Sequence, residues 1–114
     1  MHDYSHKKNA MNQQIFNEIQ ALKRKILPKN GKLILFGSQA RGDAKPDSDW
    51  DLLILLDKEK RSFNEDFDKY AYPFAEIGMR NNTMISTIVR AKKDWENRPS
   101  LLKYNIEREG IEII

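Results

Sequence analysis

The chain has 114 residues and contains no cysteine, so it can form neither a disulfide nor a thiolate metal site. It also lacks a long hydrophobic segment, because its longest apolar run covers only residues 52–56 and is far too short to span a bilayer. Residues 1–9 are polar and offer no apolar stretch of the kind found in signal peptides. These absences indicate a cytoplasmic protein with no membrane partner.

No charge of one sign dominates the sequence. Twenty Lys and Arg stand against seventeen Asp and Glu, which gives a net charge of +3. This excess suits anionic substrates but is explained more simply by an ordinary lysine-rich surface, and no basic run is long enough to indicate nucleic-acid binding. The length and the 39% hydrophobic fraction are typical of one globular domain. We therefore expect a flexible leader over residues 1–10 and a single domain over residues 11–114.

The hydrophobic pattern predicts alternating helices and strands. Apolar residues recur at helical spacing over residues 12–27 and again from Phe63 to Ile77, where Pro73 should kink or split the helix. Short apolar runs at residues 32–36 and 50–56 predict strands, and the second is unbroken, as in strands buried on both faces. Further patterns predict a strand at residues 83–89, a helical turn at 94–98, a helix at 101–108 stopped by Gly110, and a short strand or tail at 111–114.

This order of elements predicts an α/β (α+β) fold in which a small mixed β-sheet is covered by helices. Residues 37–48 should form a loop followed by a brief helix. Gly37 leaves room for a phosphate beside the backbone, Ser38 offers a hydroxyl and an amide at a helix start, and Arg41 supplies a fixed positive charge. Taken alone, these residues also fit a simple strand–turn–helix with a serine cap.

Two carboxylates, Asp49 and Asp51, open the most apolar predicted strand. Alternate strand residues point to the same side, so Asp49 and Asp51 should project together while Trp50 faces away. Two like charges side by side are unfavourable unless a cation lies between them, and Mg²⁺ prefers hard oxygen ligands of this kind. The alternative is that both aspartates are simply solvated at a strand edge. A charged pair at the start of so apolar a strand makes that alternative less favourable.

The combination Gly37-Ser38, Arg41-Gly42, Ser48-Asp49 and Asp51-Leu52 resembles the signature of minimal nucleotidyltransferase domains. These domains, here of the MntA-like antitoxin type, belong to the DNA polymerase beta-like superfamily, so the resemblance implies its palm fold, Mg²⁺ and ATP as the donor. It also assigns roles to individual positions. The nucleotide-binding residues would be Gly37, Ser38, Arg41, Gly42 and Ser48, and the catalytic, metal-binding residues would be Asp49 and Asp51.

The same resemblance implies an activity and a partner. Such a domain would transfer AMP to a HEPN-domain toxin and so act as its antitoxin. Active relatives usually carry a third carboxylate on the strand after the second long helix, but here that position falls near Ser86 and the strand contains no Asp or Glu. Two alternatives therefore stay open: a weak or inactive nucleotide-binding antitoxin that acts by binding its partner, and a small-molecule nucleotidyltransferase of the aminoglycoside type.

Overall fold

The computed structural model describes residues 10–58 and 63–114 of the chain. Residues 1–9, which include most of the predicted leader, lie outside that description. The strands are β1 (Lys32–Phe36), β2 (Trp50–Leu56), β3 (Ile85–Ala91) and β4 (Ile111–Ile113). The helices are α1 (Ala10–Ile26), α2 (Ser38–Arg41), α3 (Phe63–Asp66), α4 (Tyr72–Arg80), α5 (Lys92–Asn97) and α6 (Leu101–Glu109), and a π-helical segment, Phe67–Ala71, joins α3 to α4.

The four strands form one mixed sheet in the order β3-β2-β1-β4. β2 and β3 are parallel, whereas β1 is antiparallel to both of its neighbours, β2 and β4. β2 therefore lies inside the sheet, and both of its faces are covered by helices. The predicted mixed sheet with packed helices is confirmed.

Side chains from β2 alternate between two hydrophobic clusters. Leu52 and Ile54 belong to a large cluster with α1 and α4, which includes the fully buried Phe74. Leu53 and Leu55 belong to a smaller cluster on the other face, with Trp95 of α5 and Ile106 of α6. This double burial explains why the strand has no polar residue after Asp51.

Several local predictions needed correction. The brief helix of residues 37–48 comes before the loop, because Gly37 turns the chain directly into α2 and Gly42, in the left-handed conformation, ends it. β3 begins two residues later than predicted and continues to Ala91. The predicted helix over residues 63–77 is split as expected, with Pro73 in the first turn of α4, where a missing amide proton costs little.

Gly110 follows α6 but does not form the left-handed cap that its position suggested, since its φ is −72°. Its small size is needed for packing instead. A Cβ at this residue would lie 2.6 Å from the carbonyl oxygen of Ile106 and 2.8 Å from Cγ2 of Ile34. Gly110 thus lets the end of α6 approach β1 closely.

Across the described ranges, none of the helices is both long and apolar enough to cross a membrane.

Candidate active site

The loop between β1 and α2 is fixed by the backbone of Gly37. Its φ of 76° and ψ of −158° are a combination that residues with a Cβ rarely adopt. Its carbonyl oxygen accepts hydrogen bonds from the amides of Ala40 (3.1 Å) and Arg41 (3.0 Å). The sharp turn that these contacts hold places Ser38 as the first residue of α2, as predicted for a phosphate-binding loop.

Gly37 lies directly against the side chain of Asp51. A Cβ at residue 37 would overlap Oδ2 of Asp51, so no larger residue fits without a shift of the loop or of the carboxylate. The predicted phosphate loop and the predicted metal ligand are therefore parts of one site. The contact also gives a second reason, besides φ, for glycine at this position.

The two carboxylates create a local excess of negative charge. Asp51 is half-buried, and Asp49, one residue before β2, is exposed. Burial raises the pKa of Asp51, and the nearby negative charge of Asp49 raises it further, while Arg41 acts in the opposite direction. A bound cation would relieve this repulsion, and paired carboxylates supply the hard oxygen ligands that Mg²⁺ prefers. The residues thus fit a magnesium ion.

Asp49 and Asp51 can supply only some of the ligands that a metal ion needs. Among the residues that the structure describes, no group of three or more His, Cys, Asp or Glu side chains is placed to hold a metal ion. Mg²⁺ often uses one or two protein carboxylates and completes its shell with water and substrate phosphates. Asp49 and Asp51 match that mode of binding.

Ser86 occupies the place beside Asp51 where a third carboxylate was expected. β2 and β3 pair so that Asp51 and Ser86 are direct neighbours, with Trp50 opposite Ile85 and Leu52 opposite Thr87. Residues in register on parallel strands point to the same face, and the side chain of Ser86 is exposed. The register therefore places a neutral hydroxyl next to Asp51.

Arg41 is held by two acidic residues. Its Nε donates to Oδ2 of Asp43 (3.3 Å), and one terminal nitrogen donates to Oε1 of Glu109 at the end of α6 (3.2 Å). The hydrogen bond with Asp43 is the main cause of the raised pKa of Arg41, and Glu109 adds to it. Sequence reasoning missed Glu109, which is 68 positions away. Arg41 thus supports the loop, and its predicted nucleotide contact stays a prediction.

Ser48 and Gln39 shape the loop that leads to Asp49. The hydroxyl oxygen of Ser48 accepts a hydrogen bond from the amide of Lys45 (2.8 Å), and its carbonyl oxygen accepts one from Nε2 of Gln39 (3.2 Å). Gln39 is only 1% exposed, so its side chain supports the loop from a buried position. The sequence did not indicate this role of Gln39, because the role depends on burial beneath the loop. The amide of Gly42 closes α2 by donating to the carbonyl oxygen of Ser38 (3.0 Å).

A phosphate-type loop against paired carboxylates, on a mixed sheet covered by helices, defines a nucleotidyltransferase-like site. The nucleotidyltransferase domain family matches residues 17–110, a span that contains every residue of this site, and the chain belongs to that family. A protein of Methanocaldococcus jannaschii named "Putative protein adenylyltransferase" is 35% identical over 75 residues, which cover 66% of this chain and 68% of the relative.

Solved structures share the fold. A crystal structure of a toxin–antitoxin with AMP-PNP has a TM-score of 0.61 and 19% identity, covering 87% of this chain and 72% of the other. A mutant of the toxin–antitoxin MntA-HpeT has a TM-score of 0.59 and 16% identity, covering 87% and 71%. The predicted nucleotidyltransferase fold is confirmed.

Proposed function

We propose that this protein transfers AMP from ATP to a partner protein of the HEPN toxin type and thereby acts as its antitoxin. The contact between Gly37 and the Asp51 carboxylate carries the proposal, because it joins a phosphate-type loop and a metal-type carboxylate pair in one site. The relative named for protein adenylylation supports the reaction. The toxin–antitoxin structures, one of them with AMP-PNP, support the partner class and the nucleotide.

Each group of site residues has its own role in the proposed reaction. The loop at Gly37 and Ser38 holds the triphosphate, and Asp49 and Asp51 hold Mg²⁺, which when bound would stabilise negative charge on the phosphates. The acceptor hydroxyl oxygen forms a bond to the α-phosphorus as the bond from that phosphorus to the bridging oxygen breaks. Pyrophosphate leaves with the electron pair, and the acceptor's proton passes to solvent water, since Ser86 provides no carboxylate to take it.

Genes of such domains and of their HEPN-type partners often lie side by side, so the test is transfer of labelled AMP from ATP, with Mg²⁺, to the purified product of the neighbouring gene. We expect the wild-type chain to label that protein and Asp51→Asn to lower the rate by about 10²–10³-fold, because charge stabilisation is lost. Asp57→Asn is the matched control, since Asp57 is an exposed aspartate just beyond the opposite end of β2. Equal labelling by wild type and Asp51→Asn, or none by the wild type, would contradict the proposed transfer.

One observation favours a second function. Because Ser86 lies in register with Asp51, β3 places no third carboxylate beside the pair, and such a protein could neutralise its partner by binding alone. A cell-rescue assay separates the two functions. If Asp51→Asn still protects cells that express the partner, then binding is sufficient. If protection is lost while the complex still forms, then AMP transfer is required.

A further inference from the structure

A serine hydroxyl lies beside the carboxylate pair of the candidate active site. β2 and β3 are parallel and pair so that Ser86 is the direct neighbour of Asp51. Neighbouring strands lie about 4.8 Å apart, so one strand spacing separates the two side chains where they leave the backbone. Ser86 is also exposed, which makes its side chain accessible from solvent. A group that can act as a nucleophile is therefore next to a proposed metal ligand.

Ser86 and Asp51 lie on the same face of the sheet. Leu53 of β2 and Ile88 of β3, each two residues further along its strand, both pack in the smaller cluster. Alternate residues of a strand point to the same side, so Asp51 and Ser86 share the face of that cluster. Thr87, the next residue of β3, points to the opposite face, and its hydroxyl oxygen is buried.

The phosphate loop and Ser86 lie on opposite sides of Asp51 across this face. β1 and β3 flank β2 in the sheet. Phe36, the last residue of β1, pairs with Asp51 and packs against the smaller cluster, and Gly37 follows it directly. The order across the face is therefore loop, carboxylate and hydroxyl.

This order matches what transfer to a hydroxyl requires. In phosphoryl-type transfer, the attacking and leaving oxygens lie roughly in line through the phosphorus. In the proposed function, the loop at Gly37 and Ser38 holds the triphosphate, and the reacting α-phosphorus lies at the carboxylate pair. The leaving oxygen then faces the β1 side, so an attacking hydroxyl approaches from the β3 side, where Ser86 lies.

Resting on the proposed function, we propose that Ser86 is a site of self-modification, at which the chain accepts AMP from its own bound ATP. Oγ of Ser86 forms a bond to the α-phosphorus while the bond from that phosphorus to the bridging oxygen breaks. Pyrophosphate leaves with the electron pair, and the hydroxyl proton passes to solvent water. The product is a phosphodiester that joins AMP to Ser86.

This reaction should be slow and should occur once per chain. A serine hydroxyl is a weak nucleophile without an adjacent base, and β3 contains no Asp or Glu. The hydroxyl is nevertheless held next to the site, which replaces a bimolecular encounter. The attached AMP would cover the carboxylate pair and add a negative charge beside Asp51. The modified chain should therefore bind ATP weakly.

The experiment incubates the chain with labelled ATP and Mg²⁺ without any partner, and peptide mass spectrometry locates the labelled residue. We compare the wild type with Ser86→Ala, which removes the hydroxyl, and with Ser86→Thr, which keeps one. Thr87→Val is the matched control, because it removes the neighbouring hydroxyl on the opposite face. We also vary the protein concentration and measure binding of an unreactive ATP analogue to the modified and unmodified wild type.

We expect the wild type to carry AMP on Ser86. Ser86→Ala should lower the labelling rate by at least about 10-fold, because the oriented hydroxyl is lost. Ser86→Thr should keep part of the labelling, and Thr87→Val should match the wild type. The rate per chain should not depend on protein concentration, since acceptor and ATP belong to the same complex. The modified chain should bind the ATP analogue at least about 10-fold more weakly, because like charges meet.

Three results would overturn the inference. Label on a residue other than Ser86 would do so, as would unchanged labelling in Ser86→Ala. A rate per chain that rises with protein concentration would mean transfer between copies rather than within one site.

Failure of the proposed function gives a different pattern. A wild type that labels Ser86 but never the purified product of the neighbouring gene supports self-modification and contradicts transfer to that partner. A wild type that labels the partner but leaves Ser86 unmodified supports the partner reaction and overturns self-modification. A chain that labels neither overturns both.

Discussion

The two sides of Asp51 are built differently. On the β1 side, Gly37 touches the carboxylate and Gln39 is buried beneath the loop, so the backbone has little freedom. On the β3 side, Ser86 is exposed, and Met84, two residues before it, is also open to solvent. The surroundings of Asp51 are therefore closely packed on the β1 side and open on the β3 side.

This difference shows how one small domain separates two requirements of transfer. The donor is the same in every cycle, so a rigid loop that is organised before binding lowers the entropic cost of positioning the triphosphate. In the proposed reaction the acceptor belongs to another protein, and that protein would complete the open side in the complex. Changes on the β1 side should therefore affect catalysis most, and changes on the β3 side should adjust rate or partner binding.

Among changes that leave both carboxylates in place, the largest effect should come from closing the space on the β1 side with Gly37→Ala. The new Cβ would overlap Oδ2 of Asp51, and the φ of 76° with ψ of −158° lies in a region almost restricted to glycine, where strain costs about 1–3 kcal/mol. We expect the rate of AMP transfer to fall by roughly 10²-fold, because a small displacement of the catalytic geometry is that costly. The measurement is kcat for transfer, together with urea unfolding to record the loss of stability.

Gly42→Ala is the control for backbone strain. Gly42 ends α2 with a φ of 85° and a ψ of 11°, the left-handed helical region, where alanine costs about 1–2 kcal/mol. We expect Gly42→Ala to lose comparable stability but far less activity than Gly37→Ala. If both variants lose activity equally, strain in the loop rather than overlap with Asp51 explains the requirement for glycine.

A smaller effect, of opposite sign, should follow from adding the missing carboxylate on the β3 side. In Ser86→Asp the new acid would lie in register with Asp51 and could accept the proton of the acceptor hydroxyl. General-base catalysis contributes about 10²–10⁴-fold in favourable cases. A base introduced without its supporting contacts should give less, so we expect a rise in kcat of about 10-fold.

Ser86→Asn separates charge from shape, because asparagine has nearly the same size as aspartate but accepts no proton. It should leave kcat within about two-fold of the wild type, since surface substitutions without a charge or packing role have small effects. A lower kcat in Ser86→Asp than in Ser86→Asn would mean that added negative charge beside Asp51 is harmful, and that proton transfer is not limiting.

The contrast between the two sides also marks what the sequence could predict. The spacing of Gly37, Asp49 and Asp51 indicated a joint phosphate and metal site, and the apolar run of β2 predicted its double burial, because both depend on neighbours along the chain. The support from Glu109 could not be predicted, since it reaches Arg41 across 68 residues. The order of helix and loop after Gly37 was wrong, because the signature fixes residue types but not the backbone between them.

The exposure of Met79 and Met84 was missed for a related reason. In the sequence, Met79 and Met84 look like ordinary members of a helix and of a strand end. Their exposure depends on how α4 and β3 meet, which hydrophobic spacing does not specify. By contrast, the family resemblance, applied to the predicted strand, placed the position of the third carboxylate near Ser86, and the register of β2 and β3 puts Ser86 beside Asp51.

The smallest expected effect concerns stability on the β3 side. The hydroxyl oxygen of Thr87 is buried and makes no hydrogen bond within the part of the chain that the structure describes. Thr87 faces the large cluster, away from Ser86, between Ile85 and Val89. Burying an unpaired hydroxyl is unfavourable, so Thr87→Val should raise the free energy of unfolding by about 1 kcal/mol without changing AMP transfer.

Urea unfolding and transfer kinetics of the same preparations check this expectation, and Thr83→Val is its matched control. Thr83 precedes β3 and is half-buried, so the same chemical change there should alter stability by less than about 0.5 kcal/mol. A loss of stability in Thr87→Val would show that the hydroxyl has a partner in solution. A gain with unchanged kcat would show that the β3 side can be made more stable while its open surface still accepts the partner.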